Sequence, residues 1–195
     1  VKLISWNLLH TGGAGIAQLR ELIAARQPDL LLMQEATAAI DDLPAIIGGH
    51  YARVALPGRH HGLAAWSPSP LSRPAASLTL PRGLIVRRLC QIIVTGGLTV
   101  ANVHLSHGQV LNRRQLRRIA AALPPRAVIM GDCNMLGAPL LPGFADAGPR
   151  HATHRSANLL PMRLDRCLLR GLTCSHTETL KPAGSDHRAI MVVIN

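Results

Sequence analysis

The sequence predicts an α/β protein in which two β-sheets pack face to face with helices outside, and three observations carry this. Short, nearly continuous apolar runs of strand length alternate with segments whose apolar residues recur at helical spacing. The 195 residues are 48% hydrophobic, enough to bury a core without staples, and only 2% aromatic, so that core is aliphatic. One pattern also occurs twice. Asn7 ends an apolar run, a helix follows, Pro28 breaks it, and Leu30–Gln34 leads to Glu35; His104 ends a run, a helix follows, Pro124-Pro125 break it, and Ala127–Met130 leads to Gly131-Asp132. Both pairs, Asn7 with Glu35 and His104 with Asp132, are 28 positions apart. Two equivalent strand–helix–strand units direct their strand ends to one polar site, because ligands gather outside the carboxyl ends of such strands.

The elements follow in order. Lys2–Trp6 reads as a short buried strand, and Ala14–Arg26 as a helix with Ile16, Leu19, Leu22 and Ile23 along one stripe. Leu30–Gln34 is apolar enough for an interior strand, while Tyr51–Leu56 and Gly62–Trp66 carry weaker strand signals. Gly96-Gly97 between Leu84–Thr95 and Leu98–Leu105 marks a two-residue hairpin. Gln109–Leu123 is the second helix, Ala127–Met130 a buried strand, and Leu164–Leu169 and Ala189–Ile194 close the sheets. The stretch 136–162, with four prolines and three glycines, reads as loop, and no linker divides the chain, so residues 1–195 form one domain.

Composition narrows the function. No apolar run approaches the roughly 18 residues of a membrane span, and Val1–Ser5 lacks the apolar run and cleavage site of a signal peptide. So few aromatics argue against a single-strand binding surface built by stacking bases. Twenty-one Lys+Arg against ten Asp+Glu give a net charge of +11, a field that attracts nucleic acid, acidic headgroups or phosphorylated metabolites, or that serves solubility alone. Cys90, Cys133, Cys167 and Cys174 have no zinc-finger spacing; free thiols fit a reducing, cytoplasmic setting, though an even count also permits two disulfides.

Polar residues placed directly after buried strands need an explanation, because burying an unpaired charge is expensive. Glu35, Asp132 with Asn134 two residues on, Asp165 and Asp186-His187 all occupy such positions. Solvated strand ends explain any one of them. Together with Asn7 and His104 they point to a shared site for a hard metal, since carboxylate and amide oxygens are the ligands Mg²⁺ prefers. Taken singly, Asn7 could cap a turn, His104 could be a core histidine and Asp165-Arg166 a surface ion pair. The neighbouring His10, His60, His61 and His107 read as solvent-facing, with contact to substrate the alternative.

Ser5-Trp6-Asn7, Gln34-Glu35, Asn102-Val103-His104, Gly131-Asp132-Cys133-Asn134, Leu164-Asp165-Arg166 and Ser185-Asp186-His187 occur in this order. Together with Gly62–Ser67, they make the chain resemble the endonuclease/exonuclease/phosphatase (DNase I-like) superfamily over residues 4–194. The resemblance implies a four-layered α/β sandwich and Mg²⁺-dependent hydrolysis of phosphoesters, with Mn²⁺ a possible substitute. It implies Glu35 as a metal ligand with Asn7 beside it, Asp132 as the group that deprotonates water, and Asn134 and His104 as donors to phosphate oxygens. His187, oriented by Asp186, would stabilise the phosphate; Asp165 would bind a second metal or hold the site's hydrogen bonds, and Asp186 could itself touch metal. Arg166 stands where the family commonly has an aromatic residue or His, and the chain is short for the superfamily.

Substrate class rests on the arginines. Arg113, Arg114, Arg117 and Arg118 lie on the second helix, with Arg82, Arg87 and Arg88 as a further cluster. Such rows suit a phosphate backbone or a solvated helix face. The leading expectation is a monomeric nuclease acting on DNA or RNA, with Arg113, Arg114 and Arg117 binding substrate. The alternative is a phosphatase or phosphodiesterase for small or lipid phosphoesters.

Overall fold

The computed structural model describes residues 1–83, 86–156 and 160–195. In chain order the first half contains β1 (Lys2–Asn7), α1 (Ile16–Arg26), β2 (Leu30–Thr37), α2 (Leu43–Ile47), β3 (His50–Ala55), β4 (His61–Ser67), β5 (Ala76–Thr79) and β6 (Leu89–Thr95). The second half contains β7 (Leu98–His104), α3 (Gln109–Ala122), β8 (Ala127–Asp132), β9 (Ala145–Asp146), β10 (His154–Ser156), β11 (Leu160–Met162), β12 (Asp165–Arg170), β13 (Cys174–Thr179) and β14 (Ile190–Ile194). Among the described residues these make two six-stranded sheets, β13-β14-β1-β2-β4-β3 and β5-β6-β7-β8-β12-β9, and a β10-β11 hairpin.

The repeated unit of the sequence is the centre of each sheet. β1 and β2 are parallel and joined through α1; β7 and β8 are parallel and joined through α3. A parallel pair needs a long crossover, which the helix supplies. All other pairings within the two sheets are antiparallel.

Alternation along each central strand assigns the layers. Leu3, Leu30 and Leu32 of the first sheet meet Val100, Val128, Met130 and Cys167 of the second between the sheets. The alternate residues point outward. Ile4, Trp6, Leu31 and Met33 pack under Ile16, Leu19, Leu22 and Ile23 of α1, while Ala101, Val103 and Ile129 pack under Leu116 and Ile119 of α3. Both faces of each central strand are therefore buried, which is why β2 and β8 read as continuous apolar runs. The order is helix, sheet, sheet, helix: the four-layered sandwich. Truncating a central leucine such as Leu32 to alanine would cost about 2–5 kcal/mol.

Breakers act where expected. Gln27 ends α1 in the left-handed conformation ahead of Pro28, and α3 stops at Leu123 before Pro124-Pro125. Gly96 and Gly97 both have positive φ, 53° and 75°, as a tight two-residue turn requires, and they set the register of β6 on β7. Other expectations need correction. The strand expected from Leu84 begins at Leu89, and Leu84 and Ile85 lie outside the described residues. The stretch 136–162 is not all loop, since it holds β9, β10 and β11, and β5, β13 and α2 were not foreseen from the sequence. β5 and β13 are edge strands with largely solvated side chains, so they lack the apolar alternation that betrays a strand.

Candidate active site

The central strands end on one polar cluster. In the ladder Asn7 lies opposite Gln34, His104 opposite Asp132, and Asp132 opposite Asp165. The local backbone is unusual at three points. A bulge between Gln34 and Ala36 puts Glu35 at φ 56°, and Asn134 sits at φ 47°, both left-handed. Gly131 has φ 144°, and a Cβ there would lie 2.1 Å from the carbonyl oxygen of Val103, so this position admits only glycine. Non-glycine residues held in this region carry strain, and strain collects where side chains are aimed for chemistry.

Asn7 bridges the two halves of the cluster: its Nδ2 donates to Asp132 Oδ2 at 3.0 Å and to Glu35 Oε1 at 3.4 Å, while its Oδ1 accepts from Leu9 N. Glu35 Oε2 is also bound by the backbone N–H of His10 and by the His10 ring. Asp132 Oδ1 accepts from Asn134 N at 2.9 Å, and its Oδ2 faces His104 Nε2 at 3.4 Å and His187 Nε2 at 3.7 Å. Behind His187, Nδ1 lies 2.9 Å from Asp165 Oδ2. Thr153 Oγ1 in turn accepts the backbone N–H groups of Leu164 and Asp165, fixing that strand end.

Environment divides the titratable groups. Burial pushes Asp132 up, Asp165 adds to this, and the His187 charge opposes it. Burial opposes the charge on Glu35 as well, but hydrogen bonds from the His10 ring and backbone and from Asn7 hold it below the ordinary range. Burial alone would strip the proton from His187; Asp165, by charge and hydrogen bond, with Asp132 and Asp186 more weakly, reverses this and raises it to about 9. His104 is driven well below its usual value by burial and by Arg88. At neutral pH the site thus holds an ionised Glu35, an imidazolium at 187 and a neutral imidazole at 104.

Several expectations are redrawn by this geometry. The partner of His187 Nδ1 is Asp165, not Asp186; Asp186 is exposed on the rim, near Ser185 Oγ and 3.4 Å from His154 Nε2. Asp165 is fully buried, and Arg166 is engaged by Asp146 and by the carbonyls of Met135 and Gly137, so the two are no surface ion pair. The Nδ2 of Asn134 donates to Leu105 O at 3.0 Å and lies 3.5 Å from Asp132 Oδ2. Arg113 donates to the carbonyls of Gln109, Leu136 and Ala138, tying α3 to the following loop. Arg114 and Arg117 lie on the solvent side of α3. His10 is half-buried against Glu35 and His61 is buried, whereas His60 and His107 are exposed as expected.

Two roles were not apparent from the sequence. Arg88, grouped there with Arg82 and Arg87, is only 6% exposed, has an unpartnered Nε, and feels the charges of Asp132 and Glu35; burial weakens its hold on its proton and these carboxylates partly restore it. Set among other arginines, it carried no distinguishing signal. Beneath the cluster, Gln34 Nε2 donates to Asn102 Oδ1 and Ser5 Oγ, and Asn102 Nδ2 donates to Gln91 Oε1 and to the carbonyls of Met33 and Ala64. These buried amides link the two sheets, and Gln34 and Asn102 could have been found as polar residues inside otherwise apolar strands.

The donor set suits a hard divalent cation. Glu35, Asp132 and Asp165 bring three carboxylates against His187 and Arg88, and Asp165 Oδ1 is buried with no partner. Donor atoms of Asp132, Asp165 and His187 lie within 4.8 Å of one another. Glu35 is the least buried of the three carboxylates, with 16% of its side chain exposed, and Asn7 lies beside it, whereas Asp165 is committed to His187.

The fold has close counterparts. A protein from Bacteroides vulgatus described as an endonuclease/exonuclease/phosphatase superposes with a TM-score of 0.81 at 15% identity, covering 100% of this chain and 98% of that one. TDP2 from D. rerio, complexed with single strand DNA product, gives 0.75 at 17% identity with coverage of 100% and 98%. A functionally unknown protein from Enterococcus faecalis gives 0.77 at 17%, covering 100% and 99%. No curated protein matches the sequence. The model of the Endonuclease/Exonuclease/phosphatase family matches residues 4–187, spanning every strand end that builds the cluster, and the chain belongs to that family.

Proposed function

We propose that this chain is a Mg²⁺-dependent phosphodiesterase whose substrate is a nucleic acid, DNA or RNA. The observation that carries the reading is the buried Asp132, its pKa raised, set between a neutral His104 and a protonated His187 and joined through Asn7 to an ionised Glu35. A carboxylate with a raised pKa is matched to taking a proton from water near neutral pH. Asn7 and Asn134 donate to both of its oxygens and fix the direction from which it accepts.

His187 is kept protonated by Asp165 through Nδ1, leaving Nε2–H to donate to a phosphate oxygen as charge builds there. Arg88 supplies a second, permanent positive charge with an unused donor at Nε. His104 is neutral and offers a single N–H. Glu35, with Asn7, would hold Mg²⁺; when bound, the metal polarises the phosphate and favours ionisation of water. The nucleic-acid assignment is supported by the net charge of +11, by the exposed row Arg114, Arg117 and Arg118, and by the likeness in fold to a TDP2 that holds single strand DNA product.

The test is cleavage of supercoiled plasmid, linear duplex, single-stranded DNA and RNA with Mg²⁺ or Mn²⁺, beside EDTA and Asp132→Ala controls. Cleavage that both controls abolish is the expected result. A folded, metal-binding protein that cuts none of these but hydrolyses small or lipid phosphoesters would replace the nuclease reading with the second one.

A further inference from the structure

Beside the carboxylate cluster stands a group of three imidazoles that the proposed chemistry does not use. His10 follows β1, and His60 and His61 enter β4; one nitrogen of each lies within 4.8 Å of the other two. The rings of His10 and His61 stack with centroids 4.0 Å apart, and His60 closes the group at 5.3 Å from His10 and 5.2 Å from His61. His61 is 8% exposed, yet its Nδ1 is buried without a hydrogen-bond partner. An unpaired buried nitrogen is costly to keep, and a ligand for it would remove that cost.

We propose that His10, His60 and His61 form a second metal site, distinct from the carboxylate site, that takes a borderline-soft divalent ion such as Zn²⁺ or Co²⁺ in preference to Mg²⁺. The donor type decides the selectivity: imidazole nitrogens suit Zn²⁺ and its transition-metal neighbours, while Mg²⁺ keeps oxygen ligands and water. Glu35 strengthens the site, because a carboxylate on one ring nitrogen of a histidine orients the ring and makes the other a better ligand. With Nδ1 of His10 engaged in that way, Nε2 is the nitrogen left for metal. Ligand nitrogens around a tetrahedral ion at about 2.1 Å are roughly 3.4 Å apart, so binding requires the group to close and the stacked rings of His10 and His61 to turn toward the ion. His60 is exposed. Three nitrogens leave a fourth position for water.

The site is tested by titrating Co²⁺ into the whole protein in excess Mg²⁺, reading the visible ligand-field spectrum, with Zn²⁺ added afterwards as a competitor. The expected result is one tightly bound Co²⁺ with a nitrogen-ligand spectrum that Zn²⁺ erases. In His60→Ala, whose position is exposed and whose thermal unfolding should match wild type, affinity falls by at least about tenfold, the lower end of what removing even an indirect support of a ligand costs. In His187→Ala, which removes the histidine of the carboxylate cluster, the Co²⁺ affinity is unchanged. Equal affinity in wild type and His60→Ala, loss of binding in His187→Ala, or no Co²⁺ bound in excess Mg²⁺ would each overturn the proposal. The readout is binding, so it stands or falls apart from any activity.

Discussion

The two strand–helix–strand units deliver a carboxylate from the same topological position, and the two carboxylates differ in kind. Glu35, at the bulge of β2, keeps 16% of its side chain exposed and is surrounded by donors, so it stays ionised. Asp132, at the end of β8, is 2% exposed; burial raises its pKa, and the neighbouring Asp165 adds to this. On the proposed function, one architecture used twice yields one carboxylate that holds a cation and one that takes a proton. The difference comes from what surrounds each: a bulge and a half-open histidine on one side, a buried ladder of β7, β8 and β12 on the other.

The comparison breaks first at Asp132. Replacing it with alanine should lower turnover by about 10²–10⁴-fold, the range for a lost general base, while circular dichroism stays native. Retained turnover would remove the proton-accepting role. Next comes Asp165→Asn, which deprives His187 of its charged partner. In wild type, activity should rise as Asp132 loses its proton and fall as His187 loses its own near pH 9; in the variant the alkaline limb should move to lower pH. A pH–rate profile checks this, and an unmoved limb would contradict the pairing. The same histidine makes a stability statement. Its folded pKa of about 9 exceeds the ordinary 6.5, so its contribution is complete below pH 6.5 and is lost as pH rises through 9, visible as a falling melting temperature.

A smaller chemical effect is expected at Arg88. Arg88→Met should cost about tenfold to a hundredfold in kcat/KM, as removal of one positively charged donor to developing phosphate charge, with little loss of folding because its buried Nε holds no protein partner. The smallest effect lies on the outer face of α3. Arg114→Glu with Arg117→Glu should leave hydrolysis of a small phosphodiester unchanged but weaken nucleic-acid binding. Its log–log salt dependence should flatten by about 0.7–0.9 for each phosphate that the variant no longer neutralises. An unchanged slope would return that face to plain solvation.

Much of this was legible in the sequence, for a physical reason. Central strands buried on both faces have no choice but continuous apolar runs, so Leu30–Met33 and Val128–Met130 announced themselves, and the polar residue ending each run marked the site. The 28-residue spacing carried the topology, since a parallel pair of given strand and helix length fixes that distance. What stayed hidden depends on contacts between distant segments. Nothing local distinguishes Asp165 from Asp186 as the partner of His187; only the pairing of β12 with β8 places Asp165 beneath the ring. Arg113 and Arg114 are adjacent on one helix, yet the return of residues 136–138 over α3 occupies the first and leaves the second in water. Edge strands β5 and β13 were missed because solvated strands carry no apolar signature.

The claim that the two halves divide metal binding from proton transfer is tested most directly by Mg²⁺ dependence. Cleavage rates of wild type, Glu35→Gln and Asp132→Asn would be measured on the preferred substrate as Mg²⁺ is raised to saturation. Glu35→Gln should need a higher Mg²⁺ concentration for half-maximal rate and recover much of its activity at saturation, whereas Asp132→Asn should stay inactive at every concentration. Rescue of Asp132→Asn by Mg²⁺, or a Glu35→Gln variant with the wild-type Mg²⁺ requirement, would contradict this division.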